Sequence, residues 1–270
     1  MNICLLAKHV CLVTPKIIDH FEKNGTPIDC VIIENNYREK FSQNEKKHRQ
    51  AHDRLNIITK KYSPIRRITK QIWDRTPHFI RKAVQLNIYY IPVFNKFSTK
   101  KICAKKGIQT FEVKKHSSEE TKKILQSRKI KYAIMASSHW LLKEPIISLP
   151  ETKIINAHSG WLPKHKGLDS IGWSIKDGDP LGLTTHYIDK GIDTGSILKF
   201  YEVKPEKNEN LNTIWNKIVA QKPHAFLDTI KSIEENQIEP QNQNDDYPPH
   251  IPMTFEELLE TNNYFKKITS

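Results

Sequence analysis

Cysteine is scarce in this sequence, and its few cysteines are far apart. The 270 residues contain four, at positions 4, 11, 30 and 103, and no two of them form a CxxC pair. Closely spaced pairs are typical of structural zinc sites and disulfide frameworks, so we predict neither and expect no metal site. Because Cys4 and Cys30 stand inside apolar runs, we interpret the cysteines as buried thiols in a reducing compartment.

Long hydrophobic runs are also lacking. The first ten residues, MNICLLAKHV, place no basic region before their apolar stretch, and that stretch is too short for a signal peptide. No later stretch approaches the roughly 20 apolar residues that span a membrane. We therefore expect a cytoplasmic protein.

Positive charge is what the sequence has in excess. Its 43 Lys and Arg exceed its 30 Asp and Glu, which gives a net charge of +13. Apolar residues make up 37% of the chain, so a core fits within 270 residues but much of the chain must be polar surface. The charge favours anionic partners, such as nucleotides, phosphates, nucleic acid or an acidic membrane, without choosing among them.

Apolar runs alternate with helical patterns along the chain. Residues 2–7 and 27–34 predict buried strands, and between them Thr14-Pro15 predicts a helix that Thr14 caps. Strand, helix and strand within about thirty residues are typical of the opening of a doubly wound parallel sheet. Further strands are predicted over 107–113, 131–137, 153–158, 183–188 and 195–203, and helices over 117–129, 145–149, 209–235 and 255–260. We therefore predict an α/β fold with a doubly wound, mostly parallel, Rossmann-like sheet. A catalytic domain would span residues 1–205, and a C-terminal helix and tail residues 206–270.

The alternation is interrupted by a basic segment, residues 37–107. It holds 19 Lys and Arg against 4 Asp and Glu, so the rest of the chain is slightly acidic. We interpret the segment as a mostly helical insert. It could be a lid or partner surface over a substrate pocket, a solvated helical hairpin packed on the sheet, or a peripheral contact with an acidic membrane. The membrane alternative rests on the aromatic residues among its cations, Trp73, Phe79, Tyr89, Tyr90 and Phe94.

Polar residues suited to acyl transfer gather between Ile155 and Leu198. Asn156 and His158 are two apart at the end of a predicted strand, so both side chains face the same side of the sheet. Asp193 follows in a turn between two strands. An imidazole can move a proton, a carboxylate can orient it, and an amide can donate to an oxyanion. Each residue taken alone is more often structural, the Asp between glycines being an ordinary turn former.

Together these residues resemble the folate-dependent formyltransferase family. Asn156-Ala157-His158 is followed by the loop Leu162-Pro163-Lys164-His165-Lys166-Gly167 and then by Asp193-Thr194-Gly195, in the family's order and spacing. The resemblance covers residues 107–205 well, the first strand–helix–strand less fully, and the insert and tail hardly at all.

The resemblance implies a reaction and its residues. The acceptor amine would attack the formyl carbon of N10-formyltetrahydrofolate directly, with no acyl-enzyme. His158 would assist proton movement, Asn156 would bind the oxyanion, and Asp193 would hold His158 and a water. The pterin would lie against two loops, although the two leucines could equally belong to the core. The loop residues are Trp140, Leu141, Leu142, Ile188, Asp189, Lys190 and Ile192.

Three acceptors are common in the family. Glycinamide ribonucleotide enzymes resemble this chain less, because they carry a glycine-rich phosphate loop where residues 7–11 here read AKHVC. Methionyl-tRNA enzymes add a C-terminal barrel, for which residues 206–270 are too few and of the wrong type. The basic insert could still bind RNA, although we expect nucleic acid not to be the partner.

The third acceptor, a nucleotide-linked amino sugar, is the one we predict. An example is a dTDP- or GDP-linked 4-amino-4,6-dideoxyhexose of surface-polysaccharide biosynthesis. Leu168-Asp169-Ser170 and Trp173 resemble this branch of the family. The candidates for diphosphate and sugar binding, each of which could instead be solvated surface, are Lys8, His9, Trp161, Lys164 and Lys166.

The sequence leaves open two alternative functions and the question of whether the chain forms a homodimer. The chain could be a non-enzymatic RNA- or membrane-binding protein on a degenerate formyltransferase fold, or it could use another one-carbon or acyl donor. A homodimer through the tail or insert is compatible with the resemblance.

Overall fold

A seven-stranded sheet organises the residues that the computed structural model describes, which are 1–35, 50–52, 54–55, 98–137, 141–243 and 246–270. The strands run in the order β3-β2-β1-β4-β5-β6-β7. Their bounds are β1 (Ile3–Lys8), β2 (Cys30–Glu34), β3 (Gln109–Val113), β4 (Tyr132–Met135), β5 (Lys153–His158), β6 (Gly182–Tyr187) and β7 (Ile197–Glu202).

The sheet is parallel from β3 to β5 and antiparallel from β5 to β7. The predicted α/β fold with a mostly parallel sheet is therefore confirmed. In the parallel part, the carboxyl ends of β1, β4 and β5 lie at one edge. Such an edge is where open α/β sheets bind ligands, and here it carries Asn156 and His158.

Helices cover both faces of the sheet. Among the described residues they are α1 (Thr14–Lys23), α2 (Thr99–Lys105), α3 (Glu119–Ser127), α4 (Ser170–Asp177), α5 (Leu211–Ala220), α6 (Lys222–Glu234) and α7 (Phe255–Ile268). None of these combines the length and apolar character that crossing a membrane requires.

Strand β1 shows why the central strands are apolar throughout. Alternate side chains of a strand face opposite sides of the sheet, and both sides are covered here. Ile3, Leu5 and Ala7 join one core cluster, which α1 and α6 complete with Phe21 and Phe226. The residues between them, Cys4 and Leu6, join a second cluster on the other face with Leu125.

A third core cluster lies beside β6, where α4, α5 and α7 meet. It buries Leu183 and Phe265. The last helix is longer than the short one predicted near residues 255–260, and Thr254 caps it in a capping box with Glu257. The C-terminal region therefore contributes core side chains, and α6 packs directly on β5, β6 and β7.

The single helix predicted over 209–235 is wrong, because the chain breaks at Gln221 into α5 and α6. Pro223 explains the break. Proline has no N–H to donate to the carbonyl of Val219, and its ring would clash there, but it fits the first turn of a new helix. The helix predicted over 145–149 is also wrong, since these residues form turns.

Helix α3 has a side-chain cap at its N-terminus, whereas α1 has none. Ser118 caps α3, since its hydroxyl accepts from the backbone N–H of Thr121. Thr14 does not cap α1, because it is the first residue of the helix itself and Val13 occupies the cap position. The hydroxyl of Thr14 is buried without a hydrogen-bond partner among the described residues.

The end of the predicted insert belongs to the sheet architecture. Helix α2 joins β2 to β3, and its Cys103 lies in the first core cluster. Ala51 and Leu55 are buried in the third cluster. Most of the segment, including the five aromatic residues on which the membrane prediction rests, lies outside the described residues, so the lid, hairpin and membrane predictions stay predictions. All four cysteines are free; three are buried, and Cys11 is partly exposed.

Replacing Phe226 by Ala should destabilise the protein strongly, because its side chain is fully buried between α6 and the sheet. We expect a loss of about 3 to 5 kcal/mol, measured by urea unfolding. Lys231, exposed on the same helix, supplies the matched control. Lys231→Ala should change stability by less than about 0.5 kcal/mol. Similar losses in the two variants would contradict this assignment of the core face.

Candidate active site

The antiparallel pairing of β5 with β6 builds the centre of the site. It sets Asn156 opposite His186 and His158 opposite Thr184. Asn156 and His158, two residues apart, face the same side of the sheet, as the sequence predicted. The chain leaves β6 at Tyr187 and returns as β7, and the connection between these strands carries Asp193 back to the pair.

His158 and Asp193 form an ionisable pair at the centre of the site. Nδ1 of His158 lies 3.2 Å from Oδ2 of Asp193. On its other side, Nε2 of His158 donates to the carbonyl oxygen of His165 over 2.7 Å. The same Oδ2 of Asp193 accepts a 3.0 Å hydrogen bond from the N–H of Gly167. The loop that follows β5 therefore contacts both members of the pair.

The electrostatics of the pair depend on pH. Burial lowers the pKa of His158, against the opposing attraction of Asp193, so the imidazole tends to be neutral near neutral pH. Burial would raise the pKa of Asp193. The charge of protonated His158, contacts with His186 and the N–H of Gly167 instead hold that pKa well below its usual range. In the acidic range where a carboxyl group titrates, the imidazole of His158 is protonated, and its positive charge stabilises the carboxylate of Asp193.

The backbone around Asp193 is held in a demanding geometry. Asp193 has a φ of 55°, which is uncommon for a residue other than glycine. Gln243 stabilises it from the C-terminal region, since its Nε2 donates to the carbonyl oxygens of Asp193 and Gly195 over 2.9 and 2.6 Å. At Gly195 any Cβ would collide with the carbonyl oxygen of Tyr187. The Asp-x-Gly pattern thus has a physical basis in close backbone approach.

His186 is a site residue that the sequence analysis missed. Its Nδ1 donates to the carbonyl oxygen of Tyr187 over 2.8 Å, so its Nε2 is left to accept from Nδ2 of Asn156 at 3.1 Å. Nε2 also lies 3.5 Å from Oδ1 of Asp193. One amide hydrogen of Asn156 is used in this contact, and the second remains for another acceptor. The sequence shows His186 only as a residue of a strand.

A cavity of about 470 Å³ opens beside Asn156 and His158. Its walls come from the loop after β5, the start of α4, helices α5 to α7, and His52 and Leu55 of the basic segment. They combine apolar and polar side chains, among them Leu55, Ile171, Leu211, Asn212, Trp215 and Lys222. Lys222 is partly buried, and burial lowers its pKa against the attraction of Cys11 and Asp193. We call this space the larger cavity.

A smaller cavity, of about 140 Å³, lies on the other side of Asn156. Four of the residues predicted to contact the pterin line it: Leu141, Leu142, Ile188 and Asp189. Lys190 and Ile192 belong to the same loop but do not line the cavity, and both are exposed. Trp140 lies outside the described residues.

Asn156 lines both cavities. His158 lines the larger one, while His186 and Asp193 line the smaller one. The predicted trio is therefore brought together at a boundary between two spaces. Such an arrangement can hold two small molecules with their reacting atoms on either side of one amide.

The five residues predicted to bind diphosphate and sugar do not line the larger cavity. Lys164 contacts Asp177 and Asp179 at 3.0 and 2.7 Å, so its charge is engaged. Lys166 is 1% exposed. The remaining three are Lys8 and His9 at the end of β1 and Trp161, whose ring stacks on Phe200. Lys222 and Trp215 line the cavity instead, and the helical spacing of residues 209–235 does not reveal that they do so.

Replacing Asp193 by Asn should destabilise the protein, and the loss should depend on pH. Because the folded-state pKa is depressed, the carboxylate contributes its stability above the unfolded-state value of about 3.9. The contribution of the carboxylate to stability declines as the pH falls below that value. Urea unfolding of both proteins at about pH 7, 5 and 3 measures it. The gap should not shrink from pH 7 to 5, because protonation of His158 strengthens its attraction to the carboxylate, and it should be narrower at pH 3 than at pH 5; a gap that is wider at pH 3 than at pH 5 would contradict the assignment.

Solved structures of formyltransferases share the fold. A phosphoribosylglycinamide formyltransferase from Anaplasma phagocytophilum superposes with a TM-score of 0.56 at 17% identity, over 92% of this chain and 97% of that one. A sugar N-formyltransferase from a Shewanella species gives 0.53 at 12% identity, over 93% and 76%. These identities show a common fold and no more.

Sequence comparison carries the family assignment. Methionyl-tRNA formyltransferase of Caldanaerobacter subterraneus subsp. tengcongensis is 31% identical over 126 residues, which cover 46% of this chain and 41% of that protein. The matched part spans about half the length of such curated relatives. The model of the formyl transferase family matches residues 42–230, which is more than half of the chain. The sequence, the fold and the Asn156–His158–Asp193 geometry thus agree: the chain belongs to the formyl transferase family.

Proposed function

We propose that this chain transfers a formyl group from N10-formyltetrahydrofolate to the primary amine of a nucleotide-linked amino sugar. The observation that carries the proposal is the position of Asn156, which lines two cavities at once beside His158 and Asp193. Group transfer between two small molecules requires such a boundary. The family draws its formyl group from this folate, so we assign one of the two cavities to the donor.

The smaller cavity suits the pterin of the donor. Leu142, Met135 and Ile188 offer apolar surface to a flat heterocycle, and Asp189 offers a polar group at its rim. The side chain of Asp189 also orders its own loop, since Oδ1 accepts from the N–H of Gly191 over 3.0 Å. A loop fixed in this way keeps the cavity open before the donor arrives.

The larger cavity suits an elongated, anionic acceptor. Trp215 gives it an aromatic surface that is 47% exposed, on which a nucleobase can stack. Lys222 gives it a cation for a diphosphate. The amine of the sugar would then lie next to Asn156, where the two cavities meet.

The chemistry follows from the donors and acceptors of the centre. The amine nitrogen bonds to the formyl carbon, and the carbonyl electrons move onto oxygen. The amide hydrogen of Asn156 that does not bind His186 can donate to this oxyanion. Collapse of the tetrahedral intermediate breaks the bond from carbon to N10 of the folate.

Proton movement completes the transfer, since the amine loses one proton and N10 gains one. Neutral His158 can accept the proton, and Asp193 stabilises the imidazolium that results. His158 must release its contact with the carbonyl of His165 or use its Nδ1 face for this step. Either way, His158 and Asp193 act as one unit.

The segment after β1 bears on the choice of acceptor. Residues 7–11 contain no glycine, whereas the resemblance associates glycinamide ribonucleotide with a glycine-rich loop there. Methionyl-tRNA is the second candidate acceptor. It is favoured by the name of the curated relatives and by the net charge of +13, which suits a polyanion.

An assay of formyl transfer with a panel of acceptors tests the proposal. The panel contains dTDP-, GDP- and UDP-linked amino sugars, glycinamide ribonucleotide and methionyl-tRNA, each with N10-formyltetrahydrofolate. We expect one nucleotide sugar to be formylated, as detected by mass spectrometry. Formylation of methionyl-tRNA alone would establish the second candidate, and no formylation of any acceptor would refute transferase activity on this panel.

The Asn156→Ala variant controls that assay. Removing an oxyanion donor lowers kcat by about 10²- to 10³-fold in other acyl-transfer sites, and we expect a loss of this size here. Melting curves should show the variant folded. Activity near the wild-type level would mean that the transfer takes place elsewhere on the chain.

Replacing Lys222 by Met should weaken binding of the anionic acceptor and spare the folate. A hydrogen bond to a charged group contributes about 1.5 to 3 kcal/mol, which corresponds to a rise in acceptor KM of about 10- to 100-fold. Lys222→Arg should recover part of the affinity. Lys231→Met, at an exposed position of the same helix, is the matched control. An unchanged acceptor KM in Lys222→Met would remove this residue from the binding site.

A further inference from the structure

A short segment between α6 and α7, residues 249–253, lies against the loop that follows β5. The backbone N–H of His250 donates to the carbonyl oxygen of Lys166 over 2.8 Å, and the N–H of Leu168 donates to the carbonyl oxygen of His250 over 3.3 Å. These two bonds enclose Gly167 in a small parallel bridge. We call residues 249–253 the strap.

Gly167 fits this bridge because it has no side chain. Its φ is 87°, and a Cβ there would lie 2.7 Å from the carbonyl oxygen of His250. The N–H of Gly167, clamped in this position, is the one that donates to Oδ2 of Asp193. The strap therefore holds in place the N–H that donates to Asp193, and it does so without touching His158 or Asp193.

Side chains reinforce the bridge on one side. The ring of His250 lies between His165 and Trp173, with ring centroids 5.3 and 4.9 Å away. Its Nε2 is 3.1 Å from Nδ1 of His165. The other nitrogen of His165 contacts Oδ2 of Asp179 at 2.7 Å, so the imidazole of His165 is held from both ends. The carbonyl of this same residue accepts from His158.

Further contacts extend the strap along the loop. Nε1 of Trp173 donates to the carbonyl oxygen of Ile251 over 3.2 Å, and the N–H of Met253 donates to Oδ2 of Asp169 over 2.9 Å. The side chain of Met253 is 1% exposed and lies against Gly172. The bound part of the loop and the start of α4 form one wall of the larger cavity.

None of the strap residues lines either cavity. We propose that the strap is a positioning element for the proposed formyl transfer: it holds the loop so that the carbonyl of His165 and the N–H of Gly167 meet His158 and Asp193. His250 is its positioning residue, because it joins the backbone bridge to the ring of His165. This inference rests on the proposed function for its kinetic consequence but not for its structural one.

The test compares three variants of His250 in the full-length chain. His250→Ala removes both the hydrogen bond and the stacking, His250→Asn keeps a hydrogen-bonding group, and His250→Phe keeps a ring. Tyr247→Ala, which removes a 43% exposed aromatic from the same region, is the matched control. We expect His250→Ala to lower kcat about tenfold with both KM values within about twofold of wild type, because a shifted catalytic group lowers the rate more than binding.

Partial recovery in His250→Asn or His250→Phe, with wild-type activity in Tyr247→Ala, would support positioning. A rise in KM with unchanged kcat would place the strap in substrate binding and overturn the proposal. So would wild-type kinetics in His250→Ala.

Hydrogen–deuterium exchange without substrate tests the strap separately from the reaction. In His250→Ala, peptides covering residues 160–170 should exchange faster, while peptides of β1 and β4 keep their wild-type rates. Unchanged exchange in the loop, or equally faster exchange throughout the sheet, would overturn the proposal. If the wild-type protein transferred no formyl group to any acceptor, the proposed function would fail, and the exchange result would still decide whether the strap holds the loop.

Discussion

The pairing of β5 with β6 is the constraint on which the site depends. In a wholly parallel sheet the strand after β5 would return from the opposite end, after a long crossover. Here an antiparallel neighbour sets His186 directly opposite Asn156, and the connection after β6 folds back so that Asp193 reaches His158 and His186. The change of strand direction thus gathers the side chains of the candidate active site from two neighbouring strands and the connection that follows them.

The sequence predicted the parts of this arrangement that are local. Asn156 and His158 share a strand face because side chains alternate, and the α/β fold followed from strand and helix periods. His186 and Lys222 escaped prediction because their roles arise from contacts between distant elements. Nothing within LTTHYI tells which strand it joins, or in which register. Likewise, Lys222 reaches the cavity only because Pro223 starts a new helix at that point.

The partners of charged side chains are likewise set by contacts between distant elements, so the sequence does not predict them. Lys164, one of the lysines predicted to bind anions, is neutralised by Asp177 and Asp179. Lysine composition predicts that anions are attracted to the molecule as a whole. It does not predict which ammonium groups lack a carboxylate neighbour, since that depends on how loops fold against each other.

The points where the long basic segment joins the fold have a consequence for evolution. The N–H of Asn35 donates to the carbonyl oxygen of Val113 before this segment, and Ser98 bridges to Val10 near its end. Both junctions are tied to neighbouring strands at the carboxyl edge of the sheet. A change of length between Leu55 and Ser98 would leave both junctions and the buried Leu55 in place, so relatives can differ in this stretch without a shift of strand register.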